Sequence, residues 1–133
     1  MTGKKGGSPP KTRDILLVDD NEDDLILCER ALKKEGYQVH CVSSGPEALK
    51  YVKQHPDVAL IVLDINMAEL NGIETLQRLR KINRGLPVVL FSNYPEYRLD
   101  FQTWLADAYL MKKYDFTELI ETIRRLLSAG RDK

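Results

Sequence analysis

Residues 58–63, VALIVL, carry no polar side chain, and a strand of that composition has to be covered on both faces. A strand with one wet face would alternate apolar and polar residues. A two-sided strand calls for a parallel sheet sandwiched between helices, so this run alone narrows the chain to an α/β architecture. The run then meets Asp64, a group that should avoid such surroundings. Either the acid marks where the strand meets water, or the strand exists to present it.

The flanking sequence extends the pattern. DILLVDD (14–20) is an apolar run ended by acids, followed by a helical stretch through Gly36 with Leu25, Cys28 and Leu32 on one face. YQVHCV (37–42) alternates, as a half-exposed edge strand does. GPEALKYVKQH (45–55) reads as a short helix with Pro46 in its first turn. Asn71, with Glu74 three residues on, marks a helix start leading into Ile73, Leu76 and Leu79. PVVLFS (87–92) and AYLMK (108–112) read as two more strands. The helix between them, over 95–106, is the weakest, broken by Asp100, Gln102 and Thr103. From Asp115 onward Phe116, Leu119, Ile120, Ile123, Leu126 and Leu127 form a clear helical stripe, with Glu118 in its first turn. Strand and helix alternate five times, with connections short enough to require right-handed parallel crossovers. The expected fold is α/β and doubly wound, a five-stranded parallel sheet in the order 2-1-3-4-5.

With 133 residues, 43% of them hydrophobic, the chain suffices for one well-buried core. Twenty basic and twenty acidic side chains cancel, so no overall field draws it to nucleic acid or membrane. The first thirteen residues, MTGKKGGSPPKTR, hold four basic groups and no acid, which leaves the remainder net acidic by four. Rich in Gly, Pro and Ser and without apolar period, residues 1–13 are expected to form a disordered tail ahead of a domain over 14–133. Nothing approaches the eighteen apolar residues of a membrane span, and the basic start lacks the apolar core of a secretory signal. Cys28 and Cys41 have no metal-ligand spacing and read as buried free thiols of a reducing, cytoplasmic setting.

In such a sheet ligands bind at the carboxyl ends of the strands. The first strand ends in Asp19-Asp20, the third in Asp64, the fourth in Ser92 and the fifth in Lys112. Two carboxylates about 4 Å apart repel by on the order of 4 kcal/mol at an effective dielectric near 20. Either one takes up a proton or a cation lies between them. Hard oxygen ligands suit Mg²⁺, which favours one or two carboxylates together with water and phosphate oxygens. Lys112 adds a compact charge suited to a phosphate oxygen, and Ser92 a hydroxyl. The set points to phosphoryl transfer onto a carboxylate nucleophile.

LLVDDNEDD, IVLDINMAELNG, VVLFSN and DAYLMKKYD resemble, in order, the motifs of the response-regulator receiver domain of two-component signalling, from about Arg13 to the final helix. The resemblance implies the flavodoxin-like receiver fold, with Asp64 as phospho-acceptor. It implies Mg²⁺ held by Asp20 directly, by Asp19 through water, by Asp64, and by the backbone carbonyl of Asn66. Lys112 would contact the phosphoryl group, Ser92 would be the switch hydroxyl and Tyr109 the aromatic residue that turns inward after it. Asn66 and Tyr94 would tune loss of the phosphoryl group. Implied partners are a histidine kinase or phosphotransfer protein and a downstream protein bound by the fourth helix, fifth strand and fifth helix; neither nucleic acid nor membrane is contacted directly. Such a domain is no ordinary enzyme, since it catalyses only its own phosphorylation and dephosphorylation.

Three departures from the family stand out: Ala68 for Pro, Ser92-Asn93 for Thr-Ala or Ser-Ala, and Lys113 for the Pro after the lysine. The family bond at the last position is typically cis, and a cis Lys112–Lys113 bond is expected, aiming Lys112 at the site. Lys113 is the alternative phosphate contact. Flavin binding would need a hydroxyl- and Gly-rich loop where Asp19-Asp20-Asn21 stands. A phosphatase with an Asp nucleophile would carry a DxD on the first strand. HPD (55–57) matches a co-chaperone motif but reads better as a turn, His40 as half-buried on the edge strand, and Phe101 and Trp104 as core. With the chain ending at Lys133, output is expected through protein contact. The alternatives are a module that binds partners without phosphorylation and a fragment of a longer regulator.

Overall fold

The computed structural model describes residues 13–65, 67, 70–93, 105–113 and 115–131. Residues 1–12, Asn66, Ala68, Tyr94 and residues 95–104 of the weak helix, with Phe101 and Trp104, lie outside the described residues. Among the described residues five strands and four helices follow one another as β1 (Asp14–Val18), α1 (Glu22–Lys34), β2 (Gln38–Val42), α2 (Gly45–Gln54), β3 (Leu60–Leu63), α3 (Gly72–Ile82), β4 (Val88–Ser92), β5 (Ala108–Met111) and α4 (Thr117–Arg131). The strands form one sheet in the order β2-β1-β3-β4-β5, and every neighbouring pair is parallel.

Alternation along each strand divides the core in two. Leu16, Val18, Ile61, Leu63, Val88 and Leu90 face α2 and α3, meeting Ala48, Val52, Ile73, Leu76 and Leu79. Ile15, Leu17, Leu60, Val62, Val89 and Phe91 face α1 and α4, meeting Cys28, Leu32, Leu119 and Ile123. All four β3 residues are buried, as two-sided cover requires. β2, at the edge, leaves Gln38 and His40 exposed and half-buries Val39, Cys41 and Val42. His40 is therefore more exposed than expected, because β2 has a neighbouring strand on one side only; its ring stacks on Tyr51 of α2.

The helix starts are fixed locally. Asn21, Ser44 and Asn71 each sit in extended backbone and accept the N–H three residues on, from Asp24, Glu47 and Glu74. Beyond α1, Gly36 takes a φ of 90°, a left-handed turn natural to glycine. Arg13, expected to close the disordered tail, is instead tied into the domain: it clamps that turn, donating to the Glu35 and Gly36 carbonyls while its guanidinium covers the Tyr37 ring. His55, Pro56 and Asp57 form the turn from α2 towards β3.

Candidate functional site at the carboxyl edge of the sheet

The ends of β1, β3, β4 and β5 come out on one edge, and the polar residues that terminate them come with them. β1 delivers Asp19 and Asp20, and β3 delivers Asp64, whose N–H donates to the Val18 carbonyl at 2.9 Å. Oxygens of Asp19, Asp20 and Asp64 lie within 4.8 Å of one another. Asp19 and Asp64 are only 7% and 6% exposed, whereas Asp20 faces solvent. At such spacing each carboxylate pair repels by about 3–4 kcal/mol at an effective dielectric near 20, so the cluster favours a shared cation. Three hard oxygen donors converging at a partly solvated rim fit Mg²⁺. Asn66, whose carbonyl the resemblance adds to this set, is outside the described residues.

Lys112 follows β5, tied in place by its N–H, which donates to the Ser92 carbonyl at 2.9 Å. Its ammonium donates to Asp19 Oδ2 at 2.5 Å and to Asp24 Oδ2 at 2.8 Å, and stands 3.8 Å from Asp64 Oδ2. Burial works to lower the Lys112 pKa, but the hydrogen bonds to Asp19 and Asp24 and the charge of Asp64 outweigh it and hold it above the ordinary lysine range. A fixed positive charge thus stands beside Asp64. The Lys113 side chain is 60% exposed and lies 3.7 Å from Glu118, whereas it is the Lys112 ammonium that is paired with Asp19, Asp24 and Asp64. Ser92, at the end of β4, is fully buried, and Tyr109 in β5 is half-buried against the α2–α3 side of the core.

The expected cis Lys112–Lys113 bond is not formed, since the described residues contain no cis peptide. No proline ring lowers the cis penalty at this bond, about 2.5–4 kcal/mol, and Lys112 reaches its partners from a trans backbone.

Two residues that the sequence reading passed over shape the site. Asp24 supplies a further carboxylate to Lys112; Asn21 is the signal that could have located it, because capping α1 at Asn21 puts Asp24 in the first turn beside the β1 end. Gly72 opens α3 directly behind the acceptor loop, donating its N–H to the Ile65 carbonyl at 2.8 Å. A Cβ there would fall on the Asp64 carbonyl oxygen, so only glycine permits the approach. A cavity of about 180 Å³ runs inward from Asp19, Asp24, Asp64 and Lys112 towards Cys28 and Phe116. Cys28, a free thiol, is kept protonated by burial, its pKa pushed up to about 12.

A family model, the response regulator receiver domain, matches residues 15–124. Among curated proteins the chain is 31% identical over 121 residues to the transcriptional regulatory protein ZraR of Salmonella typhimurium, covering 90% of this chain and 27% of that protein. It is 38% identical over 120 residues to the transcriptional regulatory protein TctD of the same species, covering 87% and 53%. The chain thus spans between about a quarter and a half of the length of these relatives. Among solved structures, response regulator protein TrrA from Thermotoga maritima, crystallised in complex with Mg²⁺-BeF, superposes with a TM-score of 0.82 at 34% identity, covering 85% of this chain and 97% of that one. A complex of histidine kinase ThkA with TrrA gives 0.81 at 35% identity, covering 86% and 97%. A match that begins in β1 and ends within α4, on a sheet of the receiver strand order, means that this chain belongs to the response regulator receiver domain family.

Proposed function

We propose that Asp64 accepts a phosphoryl group from a phosphohistidine on a histidine kinase or phosphotransfer protein. A carboxylate oxygen of Asp64 attacks phosphorus; the new O–P bond forms as the N–P bond breaks, and the electron pair returns to the imidazole nitrogen. The observation that carries this reading is the placement of Asp64: 6% exposed, grouped with Asp19 and Asp20 within 4.8 Å, and 3.8 Å from the Lys112 ammonium. Asp19, Asp20 and Asp64, with the Asn66 carbonyl, would hold Mg²⁺. Bound there, the ion supplies the positive charge that lets carboxylates and phosphoryl oxygens meet. Lys112 orients a phosphoryl oxygen by hydrogen bonding and offsets its charge.

Ser92 and Tyr109 then bias a two-state surface of β5, α4 and the residues of the weak helix before β5, and a protein partner is bound or released by population shift. The chain acts as a switch that catalyses only its own phosphorylation and dephosphorylation. It works in the cytoplasm, where free thiols such as Cys28 and Cys41 persist, and needs no direct contact with nucleic acid or membrane. The ThkA–TrrA complex, formed by a relative at 35% identity, supports a kinase as donor. The greater length of ZraR and TctD favours a variant of this reading, in which the receiver is the input module of a longer regulator.

Intact-mass measurement after incubation with Mg²⁺ and acetyl phosphate tests the assignment. One phosphoryl mass should be gained by the wild type, and none by Asp64→Asn or with a chelator present. A wild type that gains nothing, or an Asp64→Asn variant that gains as much, refutes it.

A further inference from the structure

We propose that Asp24 is a positioning residue that competes for the Lys112 ammonium and so sets how readily Asp64 takes up a phosphoryl group, an inference that rests on the phospho-acceptor reading above. An ammonium has three N–H donors. One is directed to Asp19 at 2.5 Å and one to Asp24 at 2.8 Å, while Asp64 stands further off at 3.8 Å. Both bonds hold the ammonium off Asp64, and only its third N–H is left for a phosphoryl oxygen there.

Asp24 holds its end of this bond from a rigid support. The Asn21 N–H donates to Asp19 Oδ1 at 2.9 Å, and the Asn21 side chain accepts the Asp24 N–H at 3.0 Å. The first turn of α1 is thereby pinned to the end of β1, with the Asp24 carboxylate aimed across the sheet edge at Lys112. Asp24 is not among the acids converging within 4.8 Å, so its charge goes to the lysine rather than to a shared cation. The ammonium has room to turn, because Asp24, Asp64 and Lys112 line the same cavity.

Both consequences of removing the Asp24 charge have one sign. Lys112 is freed for the phosphoryl group, and an incoming phosphoryl dianion meets one negative charge fewer. A charge-assisted hydrogen bond shifts an equilibrium by about ten- to a hundredfold. The Asp24 side chain is 30% exposed, so the lower end applies. An acid present only to favour the helix start would instead change stability and leave Lys112 alone.

Wild type, Asp24→Asn and Asp24→Glu are compared in two measurements. In the first, without Mg²⁺ or phosphodonor, an amine-reactive reagent labels the protein, and Lys112 labelling is read against Lys113 by peptide mass mapping. In the second, the rate of phosphoryl uptake from acetyl phosphate is followed at saturating Mg²⁺. Asp24→Asn should label severalfold faster at Lys112 and take up phosphoryl about tenfold faster, while Asp24→Glu, which keeps the carboxylate, stays within about twofold of wild type in both. Unchanged Lys112 labelling in Asp24→Asn overturns the proposal, as does faster labelling with equal or slower uptake. A wild type that takes up no phosphoryl group overturns the phospho-acceptor reading and this one with it, whereas normal uptake with unchanged labelling overturns this one alone.

Discussion

Adding one methyl group to Gly72 should damage both the stability and the acceptor site of this protein. Built on the backbone, a Cβ at this position falls on the Asp64 carbonyl oxygen, 2.6 Å from Ile65 Cα and 2.9 Å from the Asp64 carbonyl carbon. Ordinary contact starts near 3.4 Å. All three obstacles are backbone atoms, so relief requires α3 and the loop after β3 to part by close to 1 Å, rather than a side chain to rotate. Overpacking of this kind costs about 1–3 kcal/mol, and the rigidity of the neighbours argues for the upper half. Replacing Gly by Ala recovers about 0.4–1 kcal/mol by restricting the unfolded chain. The expected net loss for Gly72→Ala is about 2 kcal/mol, or a fall of roughly 1 M in the urea midpoint. Gly85→Ala is the matched control: the nearest atom to its Cβ is Asn83 Oδ1 at 3.8 Å, and stability should stay within about 0.5 kcal/mol of wild type. Because the displaced group is the Asp64 peptide itself, Gly72→Ala should also slow phosphoryl uptake in folded protein, which Gly85→Ala should not. Equal urea midpoints for the two variants, with uptake unimpaired in both, would refute the claim that glycine is required by close approach.

Two further tests address the parts of the fold that support the site. The Arg80 guanidinium joins the far ends of β4 and β5 to α3, donating to the carbonyls of Leu86 and Leu105 and to Asp107 Oδ2, which also accepts the Val88 N–H. Arg80→Ala should lower stability by about 2 kcal/mol in urea denaturation, and Arg80→Lys should rescue it poorly because an ammonium lacks the fork; an Ala variant within about 0.5 kcal/mol of wild type would contradict this. Cys28 gives a pH signature: burial first, then nearby acidic groups, raise its pKa from 9.0 to about 12. Its contribution is fully present below pH 9 and is lost as the pH climbs towards 12, since the unfolded chain gives up the thiol proton while the folded one keeps it. Wild type should therefore lose stability faster than Cys28→Ala above pH 9, by up to about 1.4 kcal/mol per pH unit, and parallel urea midpoints from pH 8 to 10.5 would sink the prediction.

The sheet was legible in the sequence because its signals are local. The unbroken apolar run at 58–63 announced a strand covered on both faces, and Leu60–Leu63 is buried throughout. Alternation at 37–42 announced an edge, and β2 is one. Asn71 and Glu74 announced the start of α3, and the Asn71 side chain accepts the Glu74 N–H. The convergence of Asp19, Asp20 and Asp64 followed from a topological rule, since parallel strands that end in polar residues end on one side.

Other features depend on where distant segments meet. Lys112 and Asp24 are 88 positions apart, and β1 and β5 are three strand spacings apart, roughly 14 Å. Only the reach of a particular side chain across the sheet edge decides that they touch. The Lys112–Lys113 bond is trans although the family pattern suggested cis, because the preference belonged to a proline this chain lacks. Gly72 reads in sequence as an ordinary helix start, and nothing in its neighbours reveals that the Asp64 peptide lies against it. Residue order thus determined the strands, their order and the side on which the acids gather, since periodicity is a property of consecutive residues. The tertiary structure alone decided which charges pair and which backbones touch, because contacts of 2.5–3.8 Å are settled by packing between segments that the sequence holds far apart.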